Sequence, residues 1–586
     1  MKKNKSLPAI FLSLLITTIF IAQLSQPLAA QTRKRSGAIT GQVITNDGYP
    51  AAEATVLACS VSANASEFQK VGCDDDGKFK LTGLKPGAYI ISASLPGYVS
   101  SGSDIHRIGE QVTLTLVKGG VITGRVTDAA GEPMEGITIN LQMIRDLEGR
   151  TISDGQVSDF EGNTNSTDDR GMYRIFGLSP GIYLASVIDT LPPEYQSSSF
   201  RHDSPTYYPS AKRAAAAEIT VRTGEEVTGI DIHYRAEQEH SITGTISGEA
   251  GPNEDSSFIT VTLRNEGSGE VEATTDVVGS RTFRLHGVAD GTYEIVAQRF
   301  SENADSLISA PRRVTVKGAD LAGINLRLLK TGSISGRLLI ESPKAGGDCK
   351  RKEDFSVEEI SLEMKKIDTR DHIQNVSTTE YDRDDYGHLT APNEKGEFKL
   401  KILEAGVYRI LSDLPDESWY IRAITRNLKG ANRKIVNIAQ SGITLASGEN
   451  LTDVEIVVAE GAGQLRGRVI TDGAQTKDRA STLPRQIIHL VPSEAEAAED
   501  VSRYAETTTS SEGAFELKHL APGKYFVLAR EISGKTSLTN EALPVAWDNV
   551  ERAKLRREAQ ALKQEIEFRP CQQINDYLLR VSTKPK

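Results

Sequence analysis

The chain is poor in the residues that usually carry chemistry or covalent cross-linking: 586 residues hold only 4 cysteines, 2 tryptophans and 9 histidines. Four cysteines fall far below the density of a disulfide-stapled scaffold, so each domain must stand on its own core. No histidine starts a His-x-x-Glu or belongs to a His-Glu-x-x-His, which removes the ligand set of a zinc peptidase. Gly-x-Ser-x-Gly elbows, phosphate loops and Gly-x-Gly-x-x-Gly segments are also missing from the sequence. The formal net charge is -11 with no concentrated basic run, so nucleic acid is excluded as a partner. Beyond the N-terminus no apolar run approaches the roughly 18 residues that a spanning helix needs. No catalytic residue, metal site or cofactor is therefore expected.

What the sequence has in quantity is turn residues, 50 glycines and 22 prolines, which implies many short strands. At the N-terminus, Lys2, Lys3 and Lys5 precede an apolar stretch from about Leu7 to Leu24 and the small residues Ala29-Ala30. This is the three-part pattern of a secretory signal peptide, residues 1–30, with a retained anchor as the alternative. Its removal takes three lysines and no acids and leaves a mature charge of -14. Export places the protein in the periplasm, on the cell surface or outside the cell.

One pattern recurs five times. Each copy opens on an apolar strand stepped by a glycine: Ile39-Thr40-Gly41, Ile122-Thr123-Gly124, Ile242-Thr243-Gly244, Ile334-Ser335-Gly336 and Leu465-Arg466-Gly467. A turn and a short alternating strand follow, with Phe79, Tyr173, Phe283, Phe398 or Phe515 two residues before an aliphatic partner on the same face. Next comes a tight turn, Pro-Gly in three copies and expected as type II, leading to Tyr89, Tyr183, Tyr293, Tyr408 or Tyr525. Those five tyrosines are expected inside, hydroxyl to backbone, as in a tyrosine corner. Copies close on a final strand pair such as Val314-Thr315-Val316 with Ile324-Asn325-Leu326.

The predicted fold is all-β: a linear array of five antiparallel immunoglobulin-like or transthyretin-like sandwiches over 31–118, 119–237, 238–329, 330–461 and 462–586. Short linkers predict an end-to-end rod. One helix is predicted over 548–563, with a weaker echo at 210–218.

The run Gly-x-Val, Asp-x-x-Gly-x-Phe-x-Leu and Leu-x-Pro-Gly-x-Tyr, with Pro96-Gly97-Tyr98 in the first copy, resembles the carboxypeptidase regulatory-like domain, a transthyretin-like sandwich related to Cna B-type repeats. The first, second and fifth copies carry the motif, and the third and fourth are placed by register. The resemblance implies a fold; the enzyme or transporter barrel that usually accompanies this domain is not in the sequence. Cna B-type repeats carry a Lys-Asn isopeptide bond, but the opening strands here lack the lysine.

Several residues are candidate sites. Cys59 and Cys73, in neighbouring strands, are expected to form a disulfide, whereas the pairing of Cys349 and Cys571 stays open. The acidic run Asp74-Asp75-Asp76 falls on a repeated turn and reads as turn chemistry; Asp382, Asp384 and Asp385, in an insertion, are a weak calcium candidate. The aromatics outside the repeated positions, Tyr207, Tyr208, Trp419, Tyr420 and Trp547, are candidates for stacking on a sugar. The function expected is a non-enzymatic structural or interaction protein of the cell envelope or extracellular space, its partner a protein or polysaccharide. A carbohydrate-binding protein is the first alternative, and an accessory subunit of a separate hydrolase or transporter the second.

Overall fold

A computed structural model describes residues 37–581 apart from 62–67, 101–103, 148–164, 189–204, 236–239, 249–258, 267–270, 300–305, 342–355, 368–388, 429–433, 472–484, 511 and 532–543. The signal peptide and the calcium candidates Asp382, Asp384 and Asp385 lie outside the described residues.

Five sandwiches follow one another, each around its own apolar core. In the first, the opening strand Gly37–Thr45 sits between Lys78–Leu84 and Gln111–Lys118, and the facing sheet is built on Thr55–Ser60 and the tyrosine strand Ala88–Ser94. Alternation puts Ile39, Val43, Leu81 and Ile91 between the sheets. The third sandwich differs in that Leu307–Ser309 pairs with a strand of each sheet and joins the two into one.

The sheets are antiparallel with one addition that period-2 patterning does not reveal. In every unit the opening strand also pairs in parallel with the closing strand, for example Thr40 with Gln111 through Thr45 with Leu116. Parallel first and last strands in one sheet put the unit's entry and exit at opposite ends. The closing strand Gln111–Lys118 is then separated from the next opening strand, Gly120–Thr127, by Gly119 alone.

The "final strand pair" is corrected by the same topology. Arg312–Val316 pairs with the tyrosine strand Gly291–Arg299, whereas Leu321–Lys330 pairs with the opening strand. The turn between them carries the chain from the tyrosine strand's side to the opening strand's side, so the two runs are not partners.

The opening glycine is explained by its neighbours. A Cβ built on Gly41 would lie 2.1 Å from the Val112 carbonyl oxygen and 2.7 Å from the Phe79 ring. The same two obstacles, closing-strand carbonyl and aromatic ring, stand 2.1 and 2.6 Å from Gly244 and 2.5 and 2.6 Å from Gly467. Parallel pairing on one side and the aromatic of the antiparallel neighbour on the other thus fix this position together.

The acidic turn is local hydrogen bonding, as its position implies. Asp74 Oδ1 accepts from the backbone N–H groups of Asp76 and Lys78, at 3.0 and 2.8 Å. Asp168, Asn393 and Ser510 receive the equivalent pair of donors in other units.

The tyrosine turn differs from expectation in its backbone. Gly87, Gly181, Gly291 and Gly406 are not in the left-handed region, so the Pro-Gly turns of the first two units are not type II. Close packing accounts for the glycine at Gly181, where a Cβ would meet Met143 Sδ at 2.6 Å, but not at Gly87, where the nearest atom would lie 3.8 Å away. All five tyrosines are buried, and each hydroxyl donates to the carbonyl four residues earlier: Lys85, Ser179, Ala289, Glu404 and Ala521, at 2.7 to 2.9 Å.

These corners yield a prediction with a defined sign. Burial pushes the Tyr525 hydroxyl up to about 12 from 10.0. A raised folded-state value means that its stabilising contribution is complete below pH 10 and is lost as pH rises through about 12. Tyr525→Phe is expected to flatten the alkaline unfolding of the fifth unit across that window. At neutral pH it should cost about 1 to 2 kcal/mol through the unpaired Ala521 carbonyl; thermal melts at pH 7 and pH 11 check both effects.

The helix is Asn549–Leu562, capped by Asp548, whose carboxylate accepts from the N–H groups of Val550 and Glu551. It packs Leu555 and Ala559 against Val491 and Leu528 on the outer face of the fifth sandwich. At 210–218 there is only a single 3-10 turn, Arg213–Ala215.

Candidate functional site

The strongest convergences of polar and aromatic side chains lie where units meet. Between the fourth and fifth units, Ser418 O accepts from the N–H groups of both Gly461 and Ala462, at 2.8 Å each, which fixes the linker. Next to it the Trp419 carbonyl accepts from His519 Nδ1 at 2.8 Å, and the Lys518 ammonium lies 2.6 Å from Glu417. Across the junction, Asn437 Nδ2 donates to Asp500 at 3.3 Å, and each of these residues also caps a short helical turn of its own unit.

At the centre is Arg409 of the fourth unit, only 5% exposed. One guanidinium nitrogen donates to the Ala439 carbonyl at 2.7 Å, and the group lies 5.8 Å from the ring centroid of Trp547 in the fifth unit. Burial, reinforced by the nearby Arg552 charge and opposed by Asp500, lowers the Arg409 guanidinium to about 10. Arg552, also buried, is held by the Ala546 carbonyl, Glu499 and Asn549.

A second convergence joins units distant in sequence. Arg107 of the first unit is buried, donates through Nε to the Glu359 carbonyl of the fourth at 2.9 Å, and forms an ion pair with Asp413. The first unit therefore touches the fourth, and the tandem array doubles back where the short linkers had implied an extended rod. A third contact, Arg213 with Glu272 at 3.7 Å, sets the crossover segment of the second unit on an edge strand of the third.

The sequence-derived candidates distribute as follows. Trp419 is 1% exposed in the fourth core and Trp547 8% exposed against Arg409 at the fourth–fifth junction, so neither ring presents a face to a sugar. Tyr207 is buried beneath the Arg213 guanidinium, 5.7 Å from its ring centroid, and Tyr208 packs against the second core. Tyr420 is half-buried, with its hydroxyl pushed up by desolvation. These aromatics are spread over separate units and do not form one platform.

The expected Cys59–Cys73 disulfide is corrected. The hairpin register places Cys59 opposite Phe68 and Gly72 opposite Thr55, while Cys73 N–H donates to the Ala54 carbonyl. The two cysteines thus sit at opposite ends of the strand pair, beyond the reach of one S–S bond, and are not joined. Cys73 is a half-buried thiol whose ionisation is pushed up first by burial and then by Asp74. Cys349 lies outside the described residues.

Among the described residues no group of three or more His, Cys, Asp or Glu is placed to hold a metal ion, and no helix is long and apolar enough to cross a membrane. What sequence reasoning missed is the pair Arg107 and Arg409. Neither belongs to a motif, and the only signal was an arginine within a run of core strand residues.

One family match agrees with the fold of the first unit. Residues 38–117 match the carboxypeptidase regulatory-like domain. No curated protein matches the chain. Among solved structures, the chain is similar to GBS52, the minor pilin of Streptococcus agalactiae, at 15% identity over 33% of this chain and 93% of that one, with a TM-score of 0.19. It is also similar to the Bacillus anthracis TIE protein, at 11% identity over 98% of this chain and 79% of that one, TM-score 0.15. A streptococcal ancillary pilin matches at 11% identity over 50% and 99%, TM-score 0.15. The chain is a tandem β-sandwich repeat protein.

Proposed function

We propose that this protein is exported and works without catalysis, as a jointed scaffold of the cell envelope or extracellular space that holds partner molecules at its edges and insertions. The observation that carries this reading is the placement of Arg409 and Arg107. Arg409 bonds the Ala439 carbonyl of its own unit and lies against the Trp547 ring of the fifth, and Arg107 of the first unit is spent on the Glu359 carbonyl and the Asp413 carboxylate of the fourth, which makes both arginines joints. Buried ionic contacts of this kind are costly to form and strongly destabilising to break from one side, so they hold one arrangement of the units. The protein class of partner is favoured over polysaccharide because both tryptophans are consumed by packing.

The test is in-cell cross-linking of the full chain, with a glycan array run on the purified protein. The reading expects discrete envelope proteins in the cross-linked product and no glycan signal. Retention on polysaccharide, accompanied by a change in tryptophan fluorescence, would replace it with the carbohydrate-binding alternative.

A further inference from the structure

The fifth unit departs from the shared plan at one place, and the departure builds a groove. At the position before the opening glycine the other units carry Thr40, Thr123, Thr243 and Ser335; the fifth carries Arg466. Two residues further, Gln42, Arg125 and Arg337 each donate to a carbonyl of the neighbouring acidic turn: Asp76, Arg170 and Lys395. Arg468 has instead swung to 3.8 Å from the exposed Glu512 carboxylate. Both arginines, with Arg485, line an open groove of about 1010 Å³.

The three cations are not equally committed. Arg466 is paired at 2.7 Å with Glu516, whose carboxylate also accepts from Gln464 and lies near Lys518, so that charge is already neutralised. Arg468 has only its loose, solvent-screened contact with Glu512, and Arg485 is exposed with no ion pair among the described residues. The surroundings reinforce them: residues 462–586 contain 19 Lys and Arg against 17 Asp and Glu, in a chain whose net charge is -11. The unit is net positive by two charges, where the first is positive by one and the other three are negative, so the loosely held Arg468 and Arg485 favour an anion in the groove despite the lining carboxylate of Asp576.

The wall of the groove says which kind of anion. It is formed by Thr507 and Thr508 of the strand Ala505–Thr508, the terminal strand of its sheet, which pairs on one side with Gln486–Pro492 and on the other with no described strand. An edge of this kind accepts an added strand through its unpaired backbone groups. Among the described residues no exposed aromatic lines the groove: Phe515 is buried beneath Gly467, so a sugar ring finds no stacking face there. Leu578, 55% exposed, supplies an apolar contact beside the cations.

We infer that this groove binds an extended acidic peptide segment of a protein partner. The segment adds as a strand along Ala505–Thr508, with carboxylates on Arg468 and Arg485. This names the partner chemistry of the interaction role proposed above and rests on it.

The test uses the full chain, titrated by fluorescence anisotropy with a labelled peptide of alternating Glu and Val, its Lys-Val counterpart, and polygalacturonate as competitor. The Glu-Val peptide should bind and the Lys-Val peptide should not. The double variant Arg468→Ser/Arg485→Ser should weaken binding at least tenfold with an unchanged melting temperature, since both side chains are on the surface. A Glu-Val peptide N-methylated at alternate residues should lose binding if the edge is used. Equal binding by the N-methylated peptide, or binding that survives the double variant, overturns the inference. So does polygalacturonate binding that depends on the arginines when the peptide does not bind. Any of these leaves the scaffold role intact, because that role is judged separately by cross-linking.

Discussion

Gly41→Ala should destabilise the first sandwich by about 3 kcal/mol or more, an effect at the upper end of overpacking. A single methyl at this position would stand 2.1 Å from the Val112 carbonyl oxygen and 2.7 Å from the Phe79 ring. The obstacle on one side is backbone in a parallel pairing that continues for six residues, so it cannot give way without breaking the ladder. On the other side the ring belongs to the core. Gly72→Ala in the same unit is the matched control: a Cβ there meets nothing within 4 Å, and the change should be within about 0.5 kcal/mol. Denaturant unfolding of the two variants, followed by a probe in the first unit, separates them. Equal stability would remove the explanation of the repeated glycine.

Trp547→Ala is expected to cost about 3 to 5 kcal/mol, in the range for emptying a buried aromatic site. The loss should fall on the joint as well as on the fifth core, because the ring covers the Arg409 guanidinium. With the ring gone, Arg409 keeps its bond to Ala439 but lies next to Arg552 without the cover between units. Two-probe unfolding should show the fourth and fifth units melting together in the wild type and separately in the variant. A single coincident transition in Trp547→Ala would mean that the linker bonds at Ser418 suffice.

How much of this was legible in the sequence depends on the range of the interaction. Tyr525 and its acceptor Ala521 are four residues apart, so the corner is written in one short motif. Asp548 and the helix it caps are equally local, and the helix falls within a residue of its predicted bounds. Strand partners are less visible. Alternation shows that Val314 and Ile324 face inward but not which strand each joins: the first pairs with the tyrosine strand and the second with the opening strand.

The cysteine pair failed for the same reason. Its geometry depends on the register across the hairpin, which places Cys59 against Phe68. Arg107 and Asp413, 306 positions apart, carry no mark in the sequence that they meet. The tryptophans drew notice as scarce aromatics, and only the structure shows Trp419 to be a core residue and Trp547 a joint residue.

The doubling back of the array is the claim on which the scaffold reading depends most, and small-angle X-ray scattering of the full chain tests it. A nine-residue strand at about 3.3 Å per residue makes each unit roughly 30 Å long, so five laid end to end would span at least roughly 150 Å. With the first unit on the fourth, the wild type should show a maximum dimension clearly below that. Arg107→Glu, which sets a carboxylate against Asp413 and the Glu359 carbonyl, should lengthen it. A wild type as long as the end-to-end array, unchanged by Arg107→Glu, would contradict the account.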